Sequence, residues 1–133
     1  MKYFQFNKLV RDRIVESMRK NNQKVFGVRK LNNKEYIEEL KKKLKEEVDE
    51  FLMTSDRKKL KEELVDVLEV IDYLNEVLGI KETEIKQFKK RKNEKSGGFK
   101  KRIYLGSIGM EEDNEWFEYY MSNKDKYPPI KKP

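Results

Sequence analysis

Neither cysteine nor histidine occurs in this sequence of 133 residues. The first absence rules out disulfides and thiolate metal sites. The second removes the imidazole that most often serves as metal ligand and as general base near neutral pH. Any metal held by this chain must sit among oxygen donors, which favours Mg²⁺, Mn²⁺ or Ca²⁺ over zinc. Apolar residues are also scarce, at 36% against 43% charged. Such a chain exposes much of its surface or completes its core with a second copy of itself. No apolar run approaches the ~20 residues that span a bilayer, and the opening MKYFQFNKLVRDR lacks the apolar stretch of a secretory signal. The expectation is a cytoplasmic protein without a membrane span.

The length suits one domain. The 32 basic and 25 acidic residues give a net charge of +7, which bears on partners such as nucleotides, nucleic acid or acidic surfaces and not on fold. Along the chain, Val10, Ile14 and Met18 have helical spacing and predict a helix over 9–20, with Asn7 as a candidate N-cap. Residues 24–31 (KVFGVRKL) read as extended. Asn32 with Glu35 resembles a capping box ahead of a long helix over 34–53. A turn at 54–57, capped by Ser55 or Asp56, precedes a second long helix over 57–78 that Gly79 ends. A basic helix is expected from Thr83 to Lys95, stopped by Gly97-Gly98. Residues 99–105 (FKKRIYL) read as extended and are expected to pair with 24–31 in a small β-ribbon. The aromatics Trp116, Phe117, Tyr119 and Tyr120 suit packing better than base stacking, and the end YPPIKKP is expected to be loose.

The richest pattern lies in the two long helices. Glu47/Glu50 in KEEVDEF and Glu63/Asp66 in EELVDVLEV are acidic couplets with i, i+3 spacing, so each presents both carboxylates on one face. At roughly 100° per residue, Leu60, Leu64, Val67, Leu68, Ile71, Leu74 and Leu78 form one apolar arc. Glu63 and Asp66 lie inside or beside that arc, whereas Glu62, Glu69 and Glu76 lie on the far side. In the preceding helix Ile37, Leu40, Leu44, Val48 and Phe51 form the stripe. Glu47 falls beside Leu40, and Glu50 just outside, near Lys43.

The short turn makes the helices antiparallel neighbours. Counting from it at ~1.5 Å per residue puts the two couplets within ~3 Å of the same height. Buried carboxylates need a counter-charge. A shared divalent cation supplies one; a buried salt-bridge network with nearby lysines is the alternative. A hairpin so poor in apolar residues is expected to dimerise into a four-helix bundle.

EEVDEF followed by EELVDVLEV resembles the E-x-x-E…E-x-x-D signature of the MazG-like, all-α nucleoside triphosphate pyrophosphohydrolases. NKLVRDRI at 7–14 and SGGFKKRIYL at 96–105 are similar to the opening and closing segments of a phosphoribosyl-ATP pyrophosphohydrolase-like subfamily. The resemblance covers roughly residues 3–105, leaving 106–133 as an extension without a counterpart. It implies Mg²⁺, or alternatively Mn²⁺, bound by Glu47, Glu50, Glu63 and Asp66, with Glu46 as an auxiliary acid. With no histidine in the chain, proton transfer is expected from Glu47 or Glu50, or from the metal-bound hydroxide itself. The resemblance also implies phosphate contacts from Lys8, Arg11, Lys89, Arg91, Lys92 and Lys95. Ser96 stands where the pattern has a basic or amide residue. The implied reaction cleaves a nucleotide between the α and β phosphorus atoms, giving a monophosphate and pyrophosphate. The chief rivals are a basic nucleic-acid-binding module, suggested by KKRKNEKSGGFKKR at 89–102, and a catalytically weak nucleotide-binding scaffold.

Overall fold

The computed structural model describes residues 1–133 and contains five helices and no strand: α1 (Ile14–Lys20), α2 (Asn33–Met53), α3 (Arg57–Leu78), α4 (Glu82–Ser96) and α5 (Phe117–Met121). The all-α expectation therefore holds. No helix is long and apolar enough to cross a membrane. The chain divides into two compact units, residues 1–91 and 92–133, with the division inside α4; the sequence reading divides it after 105.

In the first unit, α2 and α3 are the helices that pack together. Local chemistry fixes their ends. The Asn32 side chain accepts a hydrogen bond from the Glu35 N–H at 2.9 Å, satisfying one of the free donors of the first turn of α2. The reciprocal half of the expected capping box is absent, because the Glu35 carboxylate pairs with Arg29 at 2.7 Å instead. At the far end the Thr54 hydroxyl donates to the Glu50 carbonyl at 2.8 Å and the backbone turns extended. Asp56 then caps α3, accepting from the Lys59 N–H at 3.4 Å. Gly79 ends α3 in the left-handed region (φ 67°), and the Ile80 N–H closes back on the Asn75 carbonyl at 2.8 Å.

The buried apolar core of this hairpin is small: Leu40, Val70 and Leu74, with Leu9, Tyr36, Leu44 and Val77 packed against it. The predicted apolar arc of α3 is thus only half used. The face toward α2 is centred near Val70, and Leu64, Leu68, Ile71 and Leu78 remain 36–53% exposed.

Two further expectations are corrected. The first helix begins at Ile14, not at residue 9. Asn7 does not cap it but lies in the left-handed region (φ 44°), and residues 8–13 form a non-helical segment whose cations reach across to the hairpin. The β-ribbon does not form, because each segment is interrupted by a left-handed residue. Gly27 (φ 67°) breaks 24–31, and Arg102 (φ 55°) breaks 99–105, where its N–H closes a turn onto the Phe99 carbonyl.

In the second unit the aromatic residues pack on one another. Tyr119 contacts Trp116 edge-on at 5.9 Å and Tyr120 at 5.4 Å, and Tyr120 meets Tyr127 at 4.9 Å. The sequence reading leaves this segment without a helix; α5 carries most of the cluster, and Asn123 closes it by donating to the Tyr119 carbonyl at 2.7 Å.

Candidate metal centre

The two couplets meet between α2 and α3. One carboxylate oxygen each from Glu47, Glu50 and Glu63 lies within 4.8 Å of the other two, a spacing that can hold a metal ion. An octahedral cation with ~2.1 Å bonds spaces its ligands about 3–4 Å apart, so small side-chain rotations bring these oxygens into range. Helical register explains the convergence. Glu47 lies beside Leu40 on the face of α2 that packs on α3, and Glu63 lies between Val70 and Leu74 on the facing side.

Burial makes this arrangement costly without a cation. Glu47 is the one buried charged residue, at 7% exposure. Its Oε2 and the Oε2 of Glu63 are both shut off from solvent with no hydrogen-bond partner. An orphaned carboxylate oxygen inside a protein is strongly unfavourable. Accordingly the Glu47 carboxyl titrates above its ordinary value: burial is the main cause, and the neighbouring Glu50 charge adds to it. Lys43, whose Nζ lies 3.3 Å from Glu47, opposes the shift without removing it. Two buried, unpartnered carboxylate oxygens on members of one three-carboxylate cluster are hard oxygen donors of the kind a divalent cation could use.

Asp66, expected as the fourth ligand, is held elsewhere. Its carboxylate accepts from Arg11 at 2.8 Å, and the other arm of the same guanidinium pairs with Glu69. Glu69 is therefore not on a bare solvent face, as its helical position suggests, because the segment before α1 lies over that side of α3. Lys8 plays the parallel role one helix over. It pairs with Glu46 at 2.9 Å and feels the charges of Glu50 and Glu47 more weakly. Glu46 is shared between Lys8 and Lys43 and is held below the usual carboxylate range, chiefly by the Lys8 hydrogen bond.

The two cations expected from the opening segment thus stand at the acidic cluster, though they bind carboxylates here. The other four expected phosphate ligands lie on α4. Lys89 and Arg91 belong to the first compact unit and Lys92 and Lys95 to the second; all four are exposed, and Arg91 lies 5.7 Å over the Phe88 ring. Two participants were missed as specific partners. Lys43, at i−3 and i−4 from Glu46 and Glu47, is recoverable from the helical pair rule. Glu69 is not, because its partner lies 58 residues away in the chain (69 − 11).

Comparison with known proteins gives no match: no family model fits the chain, and neither the curated proteins nor the solved structures searched contain a significant relative.

Proposed function

We propose that this protein is a divalent-metal-dependent nucleotide pyrophosphohydrolase of the MazG-like kind, hydrolysing a nucleoside triphosphate or related nucleotide to a monophosphate and pyrophosphate. The observation that carries the reading is the pair of orphaned oxygens on Glu47 and Glu63 within a three-carboxylate cluster. Glu47, Glu50 and Glu63 would hold the ion, with Asp66 as a further ligand once Arg11 turns away from it. Mg²⁺ bound there would neutralise phosphate charge and make a water more acidic.

The remaining work falls to the chain's own residues. Lys8 and Arg11 are cations at the rim of the cluster, and each can exchange its carboxylate for a phosphate oxygen and so stabilise charge that develops during cleavage. With no histidine in the chain, proton transfer from the attacking water falls to a carboxylate. Glu50, the exposed member of the cluster, is the one open to solvent for it, and Glu47, with its raised affinity for a proton, is the other candidate.

The proposal includes a homodimer. Leu64, Leu68, Ile71 and Leu78 lie along α3, unpaired, beside a core of three buried apolar side chains. A second hairpin on that strip completes a four-helix bundle. Light scattering that shows only monomer at micromolar concentration would remove the dimer from the proposal. The activity is tested by incubating the protein with a panel of NTPs and dNTPs plus Mg²⁺ and assaying pyrophosphate. Release of pyrophosphate from at least one of them, lost in Glu63→Gln, is expected. No turnover of any nucleotide, or full turnover in that variant, rejects the reading.

A further inference from the structure

The same compact unit contains an open cleft of about 860 Å³ between the opening segment and residues 22–31. That volume falls in the range of small-molecule sites. Its walls concentrate aromatic surface. Tyr3, Phe4 and Phe6 line one side and Phe26 the other, and all four side chains are at least half exposed. Tyr3 and Phe26 approach across the cleft with ring centroids 6.0 Å apart and planes tilted by 52°. In a chain this poor in apolar residues, four uncovered rings around one hollow form a coherent surface for a flat apolar group.

Lys8 also lines the cleft, and its position says what the occupant carries. Its ammonium lies 5.5 Å from the Phe6 ring centroid and 2.9 Å from the Glu46 carboxylate, next to the acidic cluster. Between Phe6 and Lys8 the chain turns at the left-handed Asn7, a conformation Asn tolerates better than most residues. Lys8 thus both lines the ring-walled hollow and pairs with Glu46, the chain neighbour of Glu47 in the acidic cluster. A ligand with a planar ring in the hollow and phosphates at the acids spans both.

We propose that this cleft is the base-recognition subsite, in which the nucleobase stacks on Phe26 or Tyr3 while Lys8 contacts the phosphate chain. The proposal rests on the nucleotide reading of the neighbouring acids but does not need hydrolysis for its own test. Calorimetry of the full chain with AMP, GMP, CMP, UMP and dTMP in chelator, with inorganic phosphate as the base-free control, is expected to find at least one monophosphate bound more tightly than phosphate. Phe26→Ala and Tyr3→Ala are expected to weaken that binding about tenfold or more, and Phe26→Trp to retain it. Both positions are exposed, so the variants are expected to melt like the parent.

Pyrophosphate binding in Mg²⁺ is expected to be the same in parent and variants. No monophosphate bound better than phosphate, undiminished binding in both alanine variants, or equal losses for monophosphate and pyrophosphate would each overturn the subsite. The two readings fail separately. Ring-dependent monophosphate binding without turnover leaves the cleft and removes the hydrolase. Turnover indifferent to Tyr3 and Phe26 leaves the hydrolase and removes the cleft.

Discussion

The α2–α3 hairpin has two dissimilar edges. Along one run Glu46, Glu47, Glu50, Glu63, Asp66 and Glu69, with Lys43 among them and Lys8 and Arg11 laid over them. Along the other run Leu64, Leu68, Ile71 and Leu78, each left 36–53% exposed. Both edges are incomplete, in opposite senses. The acidic edge has too much charge for its burial and keeps two carboxylate oxygens unpartnered. The apolar edge has too little cover for its hydrophobicity. On the function proposed above, a small hard ion would meet the first deficit and a second hairpin the second, two different additions at two different places. Specific substitutions separate them.

The largest effect belongs to the acidic edge. Glu63→Gln keeps the shape of the side chain and removes one of the two orphaned charges. Pyrophosphate release is expected to fall by about 100-fold or more, the scale of losing one preorganised charged group at a phosphoryl site. The oligomeric state, read by sedimentation, is expected to stay the same, since Glu63 is not on the apolar edge. A variant that loses activity only by dissociating would show that the edges are not independent.

The converse experiment is Leu68→Asp. One buried leucine is worth roughly 1.5–3 kcal/mol, and a two-fold interface loses it twice. The dimer Kd is therefore expected to weaken by more than about 100-fold. Sedimentation velocity at micromolar protein checks it, and a boundary unchanged from the parent would place the interface elsewhere. Metal binding by the dissociated variant is expected to persist, because the ligands come from one hairpin.

Much of this contrast was readable from the sequence, and the failures have a common cause. Residue spacing gave the two long helices, because Asn32, Asp56 and Gly79 are strong local end signals. It also gave the convergence of Glu47, Glu50 and Glu63, because helical register and a short turn are local geometry. It misjudged which part of the α3 arc is buried, since a helical wheel shows which side is apolar but not how many neighbours cover it. It also placed Glu69 in solvent and Asp66 among the ligands, because both depend on Arg11, a residue from a distant segment. The β-ribbon failed through Gly27 and Arg102, whose left-handed backbone a pattern of Val, Phe and Tyr does not announce.

Adding the ion is expected to have a smaller effect on stability than either substitution has on its own readout. At a Mg²⁺ concentration near 100 times Kd, linkage predicts about 2.7 kcal/mol of stabilisation. It is read as a rise in melting temperature over chelator-treated protein. Glu47→Gln is expected to abolish most of that rise, while Leu64→Ser, on the other edge, is expected to keep it. Equal losses in both would mean that the metal acts through the dimer.

The smallest effect is one of sign. Burial and the Glu50 charge raise the Glu47 carboxyl above its ordinary value of 4.5, so the folded chain holds that proton more tightly than the unfolded one. Its contribution to stability is then fully present at pH below the unfolded value and is lost as pH rises through the folded one. Glu46 runs the other way. Lys8 lowers its carboxyl, so its contribution is present above the unfolded value and is lost as pH falls. In metal-free protein Glu47→Gln removes only the first dependence. The variant is therefore expected to melt above the parent at pH 7.5, by about 3 °C if the gain is ~1 kcal/mol, and the gap is expected to close by pH 4. Thermal melts in chelator across that range decide it. A gap of the same size at every pH would show that Glu47 is destabilising through shape and not through charge, and the proposal that the acidic edge binds a cation would lose its electrostatic basis.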